Sequence, residues 1–303
     1  MNKNLKTPFG KIQFSWIKTL WLYTMLFPIL FIDFSSLNTQ DIFLNILLLF
    51  LTVGIFLTVG IGHSVGLHRG VIHKSYKTSK AFRKISLYLF VLTGLGSPLN
   101  WLKQHYFRDY WQNRNDCPRY FQYKHSLITD YYWNLHLTFI PKDLSRYQIP
   151  KEDLNDSAIL WLHKTWQLQY IIFMIALYLL VGFNSMLIAT CLRTSTIILG
   201  HWYIGYASHK YGYSRHKIKG ADESGFNDVL LGLISFGEGF HNNHHSYPTS
   251  AKFSSKWYEI DFGWMITWLL RKFKIITSVK TQKGNLKPTA IAYDFTNWKL
   301  PKL

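Results

Sequence analysis

The stretch Ile42 to His73, IFLNILLLFLTVGIFLTVGIGHSVGLHRGVIH, decides the fold. Its first part, Ile42 to Gly62, is an apolar run of the length a helix needs to cross a bilayer core, roughly 20 residues. The run passes without a turn signal into Gly62-His-Ser-Val-Gly-Leu-His68-Arg-Gly-Val-Ile-His73. Imidazoles therefore stand where a spanning helix leaves the apolar phase, and ionisable groups at such a boundary point to function.

Outward from this segment lie three further apolar runs, Phe14 to Phe34, Leu168 to Phe183 and Ser185 to Ile204. The third span is the shortest and can begin nearer Trp161 or Trp166. Only a tight turn near Gly182 to Asn184 separates it from the fourth, so the two read as a transmembrane hairpin. Arg193 within the fourth is expected to face the bundle interior or a polar partner. The expected architecture is all-α and integral to the membrane: a single domain over residues 1–303 with four spans, at about 14–34, 42–62, 166–183 and 185–204. A cytoplasmic helical cap, 63–165 and 205–276, carries the histidines, and 277–303 form a tail.

The formal charge is +18 although 48% of residues are hydrophobic, so very basic and very apolar segments alternate. Lys and Arg flank the apolar runs, and no basic motif with a nucleic-acid-binding pattern stands out, which turns the charge toward a membrane surface rather than nucleic acid. Lys and Arg are retained on the cytoplasmic side. The N-terminal tail is basic, Ser35 to Asp41 has no Lys or Arg, and basic residues follow the second span (Arg69 to Lys84) and the fourth (Lys210 to Lys219). Both termini and both large polar regions are thus expected in the cytoplasm. Lys3, Lys6, Lys11 and Lys18 before an apolar run imitate a signal peptide, but no small-residue cleavage site follows, so a retained first span is expected. Cys117 and Cys191 lie in unlike environments, and neither a disulfide nor a cysteine metal site is expected.

Two apolar stretches do not fit a full crossing. Ile85 to Leu102 carries Gly94, Gly96 and Pro98 and leads straight into a polar segment; it reads as a helix lying along or dipping into the membrane surface. Trp257 to Ile276 reads similarly, with Trp264, Trp268 and Leu269 toward lipid and Arg271, Lys272 and Lys274 toward water.

The histidines carry the chemistry. In Gly237-Glu-Gly-Phe-His241-Asn-Asn-His244-His245, positions i, i+3 and i+4 share one helix face. Three imidazoles there do little for stability but suit a metal, because imidazole is a neutral ligand for iron, zinc, copper or nickel. His125, His136, His163 and His216, taken singly, read as surface or packed side chains, as does His63. Glu238 is placed to orient a ligand imidazole through its other nitrogen, or to serve packing.

From His68 the chain reads HRGVIHKSYK, from Gly237 GEGFHNNHH, and around His209 ASHKYGY. With these strings in this order among the spans, the chain resembles the membrane fatty acid desaturase superfamily, in particular its acyl-CoA desaturase branch, over about Phe14 to Ile276. The resemblance implies two iron ions on the cytoplasmic side, held by His68 and His73, by His105 of a second box, by His209, and by His241, His244 and His245. The second box departs from the family's His-Arg-x-His-His: it reads His105-Tyr-Phe-Arg108-Asp109, similar to a prokaryotic branch with an altered box. Arg108 cannot ligate a metal. Asp109, one helical turn from His105, reads either as a carboxylate ligand or as an ion-pair partner of Arg108. Gly205 stands where relatives often place an Asn, and His201, two turns before His209, reads as packed or as an added donor.

The implied reaction is removal of two hydrogens from neighbouring methylenes of an acyl lipid or acyl-CoA, with O₂ reduced to water. No flavin or dinucleotide fingerprint is present, so a separate electron donor is implied, a cytochrome b5-like protein or a ferredoxin, steered by the basic face; anionic membrane lipids explain that charge equally well. The competing readings are a lipid hydroxylase with the same metal site, a haem-binding membrane cytochrome, and a catalytically inactive lipid-binding relative.

Overall fold

The computed structural model describes residues 9–35, 53–218, 220–221, 223–282 and 290–292. Among the described residues helices dominate, as expected, and three small antiparallel pairs of strands fasten distant segments. Gly10–Phe14 pairs with Leu137–Pro141 in the register Gly10 to Pro141, Lys77–Thr78 pairs with Ile276–Thr277, and His216–Ile218 pairs with Ala290–Ala292.

Two helices among the described residues are long and apolar enough to cross a bilayer, Val53–Ile72 and the run Ser157–Ala207. A shorter apolar helix, Trp16–Phe31, precedes them. The part of the second expected span before Val53 falls on residues outside the described set. The run of 51 residues from Ser157 does not stay straight. Gly182 takes φ 79° and ψ 175°, values that an L side chain resists, and breaks it there. Beyond that point the chain folds back, because Tyr170 Oη donates to the carbonyl of Thr190 at 3.3 Å. The expected turn between the third and fourth apolar runs is therefore present, and the first arm begins at Ser157, earlier than expected, where Asp156 caps the backbone amides of Ala158 and Ile159. Large apolar side chains stand exposed along that arm, among them Leu168, Ile172, Ile175, Leu179 and Leu180. Arg193 is buried; its guanidinium donates to the carbonyls of Ala189 and Leu92 and to Thr58.

The helix that carries the first histidines is not an α-helix. Phe56–Ile72 is a π-helix of 17 residues, whose amides bond five residues back, as His73 N does to His68 O at 3.1 Å. Such helices are usually a single turn and favour functional sites. Here the register brings His63, His68 and His73, each five apart, to successive turns of one side. Glycines permit its close packing: a Cβ on Gly62 would meet the backbone of Leu89 and Phe90, and one on Gly66 would meet Ser86. The partner is the helix Lys80–Val91, capped by Ser79.

The apolar stretch Ile85 to Leu102 is not one helix lying on a surface. It breaks after Val91, where Gly94 and Gly96 take φ 78° and 109°. A new helix, Pro98–Gln112, starts from Ser97, whose Oγ accepts from Asn100 N at 3.2 Å, with Pro98 in the first turn. The stretch from Trp257 is likewise shorter than expected as a helix, spanning Phe262–Lys272 behind the cap Asp261.

Candidate metal centre

Seven imidazoles from four separate segments gather into two groups. His68, His73, His105 and His244 form one, and His209, His241 and His245 the other; within each group the possible ligand atoms lie within 4.8 Å of one another. His68 and His73 come from the end of the π-helix, and His105 from the middle of Pro98–Gln112. His209 follows the last turn of Arg193–Ala207, and the rest sit on the short helix His241–Ser246. The shared face of that helix does not serve one point. His241 and His245, one turn apart, turn to His209, while His244 turns to His68 and His73, with ring centroids 4.8 and 4.6 Å away. The intervening residues hold the helix from behind: Asn242 Oδ1 accepts from the amides of Arg215 and His216, and Asn243 Nδ2 donates to Phe253 O.

The nitrogen atoms face one another in a way that asks for a cation. His68 Nε2 lies 3.1 Å from His73 Nε2 and 2.9 Å from His105 Nε2. His241 Nε2 lies 3.1 Å from His209 Nε2 and 2.9 Å from His245 Nε2. Two imidazole nitrogens bound at right angles to one metal, each at about 2.1 Å, stand about 3 Å apart. Meanwhile the other nitrogens of His68 and His105 face carboxylates. Glu238 Oε2 is 2.6 Å from His68 Nδ1, and Asp109 Oδ2 is 3.2 Å from His105 Nδ1. Both are ion-pair contacts without hydrogen-bond alignment. A carboxylate at that range keeps the proton on Nδ1, so Nε2 of each ring presents a lone pair. Two lone pairs at 2.9 Å repel unless a cation lies between them, and on that ground the residues fit a metal.

Burial and the neighbouring imidazoles push His73, His209, His241 and His244 well below the usual histidine range, and burial lowers His245. The rings are thus neutral, as ligands must be. For Asp109 burial acts upward, but the contact with His105 outweighs it and holds the carboxyl well below the usual range.

Glu238 is itself held. Ser64 Oγ donates to its Oε1 at 2.5 Å, and the fully buried Arg69 donates to it at 2.9 Å while bonding Asp261 at 3.0 Å. Arg69 also lies 3.8 Å over the ring of Phe253. The Arg of the first histidine string therefore orients the carboxylate that orients His68.

In the altered box the two charged residues part company. Arg108 makes no ion pair with Asp109; its guanidinium donates to Tyr123 Oη at 2.8 Å and to Asn134 Oδ1. Asp109 faces the back of His105 instead. Tyr123 stacks on His209 at 4.3 Å between centroids, and Glu223 stands 3.8 Å from His209 Nδ1. Neither residue was legible as part of the site, since nothing in the strings around Tyr123 and Glu223 marks them. Gly205 lies beside Tyr123, where a Cβ would make ordinary contact with the hydroxyl at 3.7 Å.

His63 and His201 join neither group. Their rings meet at 4.9 Å beside Trp101. His125 pairs with Asp130 at 2.6 Å, His136 meets Tyr23 Oη at 3.2 Å, and His163 meets Ser97 Oγ at 2.8 Å. His216 packs edge-on against Tyr247.

A cavity of about 320 Å³ opens onto both groups. Its wall includes His68, His105, His209 and His241, and continues to Trp21 and Trp166. Trp21 is fixed by a 2.7 Å bond to Gly94 O and by edge-on contact with Trp166.

Comparison with known proteins agrees with this arrangement. A family model described as fatty acid desaturase matches residues 43–266. The chain is 26% identical over 277 residues to the sn-1 stearoyl-lipid 9-desaturase of Anabaena variabilis, covering 89% of this chain and 95% of that one. It is 29% identical over 218 residues to the sn-2 palmitoyl-lipid 9-desaturase of Nostoc sp., covering 70% and 74%. It is 26% identical over 221 residues to the acyl-CoA 5-desaturase of Anemone leveillei, covering 70% and 65%. With most of its length matched by the family and two histidine groups facing one cavity, the chain belongs to the fatty acid desaturase family.

Proposed function

We propose that this protein is an integral membrane, O₂-dependent acyl desaturase whose seven clustered imidazoles hold two irons. The observation that carries the reading is the pair of histidine groups sharing one helix, His241–Ser246, at the wall of a single cavity. Irons bound there supply an oxidant able to remove hydrogen from an unactivated methylene, which no side chain can do.

The chain's own residues do the rest. The cavity seats an acyl chain beside both groups, and Trp21, Trp101 and Trp166 exclude water along its wall. Glu238 and Asp109 keep the protons of His68 and His105 on Nδ1, so that Nε2 stays available to metal. The exposed apolar side chains of the first arm of Ser157–Leu187 and of Trp16–Leu26 support burial in lipid, in four spans. Lys77, Lys80, Lys84, Arg271, Lys272 and Lys274 are exposed, and the pairing of Lys77 with Thr277 draws the two basic segments together. That face supports a cytoplasmic orientation and docking of a separate acidic electron donor, a cytochrome b5-like protein or a ferredoxin.

Hydroxylation is the second reading, favoured by the altered second box, which brings one imidazole, His105, with the carboxylate of Asp109 behind it. Expression in a host lacking such activity, with a His244→Ala control, tests both. A product lighter by two hydrogens supports desaturation; a product heavier by one oxygen supports hydroxylation; lipids identical to those of the control contradict both.

A further inference from the structure

The cavity wall carries two cations that an acyl chain does not need. Lys18 and Arg108 both line it, and neither forms an ion pair among the described residues. They meet at one residue: Lys18 Nζ donates to the carbonyl of Asn134 at 3.0 Å, and Arg108 donates to the Asn134 side chain. Their other contacts are neutral, Leu137 O for Lys18 and Tyr123 Oη for Arg108. A guanidinium has five N–H donors and an ammonium three, so each retains donors beyond these bonds.

The nearby carboxylates are engaged elsewhere. Asp109 and Glu238 line the cavity but face the Nδ1 atoms of His105 and His68. Asp130 does not line it. Its oxygens face His125 at 2.6 Å and accept from Trp202 Nε1 and Asn134 Nδ2, both at 2.8 Å, so it reaches Arg108 only through Asn134. Both cations are half-buried, and holding them on a cavity wall without a counter-charge carries a cost that a ligand bringing one offsets.

We propose that Lys18 and Arg108 form an anion subsite that takes the carboxylate of a long-chain acid whose alkyl chain lies in the same cavity. The subsite rests on the reading of the cavity as an acyl channel, and selects a free acid over an ester of the same chain.

The test uses the full-length metal-loaded chain in lipid nanodiscs at pH 7, with displacement of radiolabelled octadecanoate and no turnover. Octadecanoate binds tighter than methyl octadecanoate by at least about tenfold, as charge-assisted hydrogen bonds commonly provide. Arg108→Gln removes that preference while leaving methyl octadecanoate affinity unchanged, and Lys18→Gln, on a different helix, reduces it in the same way. Equal binding of acid and ester, or a preference that survives both substitutions, overturns the subsite while leaving the acyl channel standing. Tighter binding of octadecyl phosphate than of octadecanoate overturns the carboxylate assignment. Binding of none of the three overturns the subsite and the acyl channel together.

Discussion

His105 is held from behind by Asp109: the carboxylate stands 3.2 Å from Nδ1, while Nε2 of the same ring points at His68 Nε2, 2.9 Å away. In this position Asp109 is placed to orient His105, and we propose that it does so rather than ligating a metal itself. Asp109→Asn is expected to retain close to two irons per chain at saturating Fe(II) while weakening affinity by roughly tenfold to hundredfold. Titration of the apo-protein followed by metal analysis checks it; loss of one iron at saturation would mean that Asp109 is itself a ligand.

Glu238 does the same for His68, and Arg69 holds Glu238. Glu238→Gln should weaken iron binding by roughly tenfold to hundredfold with the fold intact. Arg69→Met should lower thermal stability as well, since it leaves Glu238 and Asp261 buried without their cation. Circular dichroism melting beside the iron titration separates the two effects.

Close packing of the π-helix is tested at its glycines. Gly62→Ala puts a methyl into the backbone of Leu89 and Phe90, and should destabilise by roughly 1–3 kcal/mol. Gly200→Ala meets nothing within 4 Å and should be neutral or slightly stabilising. Similar melting temperatures for the two variants would contradict the packing described.

The depressed imidazoles set the pH response of the metal-free chain. In the unfolded chain these histidines take up protons near pH 6.5, whereas His73, His209, His241 and His244 resist protonation when folded. The unfolded state therefore binds more protons below that pH, so stability is full above about 6.5 and falls as the pH drops through it. Asp109 acts in the same direction at lower pH, because its depressed carboxyl contributes stability above about 3.9 that is lost as the pH falls further. A melting temperature that holds steady from pH 7.5 to 5.5 in metal-free protein would contradict this.

Much of this arrangement was legible in the chain, and the remainder depends on contacts between distant segments. Gly182 between two apolar runs announces the reversal, because glycine alone among its neighbours accepts the φ of 79°. The five-residue spacing of His63, His68 and His73 is visible too, but spacing alone does not distinguish a π-helix from an α-helix that places them on diverging faces. His241, His244 and His245 read as one cluster; their division into two groups depends on where His68 and His209 approach, which local sequence does not encode. The break at Gly94 to Pro98 had all its signals present, Gly, Gly and Pro before a polar segment, and an apolar run outweighed them in the reading as a single surface helix. Tyr123, Glu223 and Asp261 enter the site from loops whose residues are ordinary by type.

The central claim is that seven imidazoles hold two irons in two distinct groups. Its most direct measurement is iron per chain in protein loaded anaerobically with Fe(II), compared between the natural sequence and His209→Ala. We predict close to two irons falling to close to one, with the four-histidine group still filled. One iron or fewer in the natural sequence, or two that persist without His209, would contradict the account.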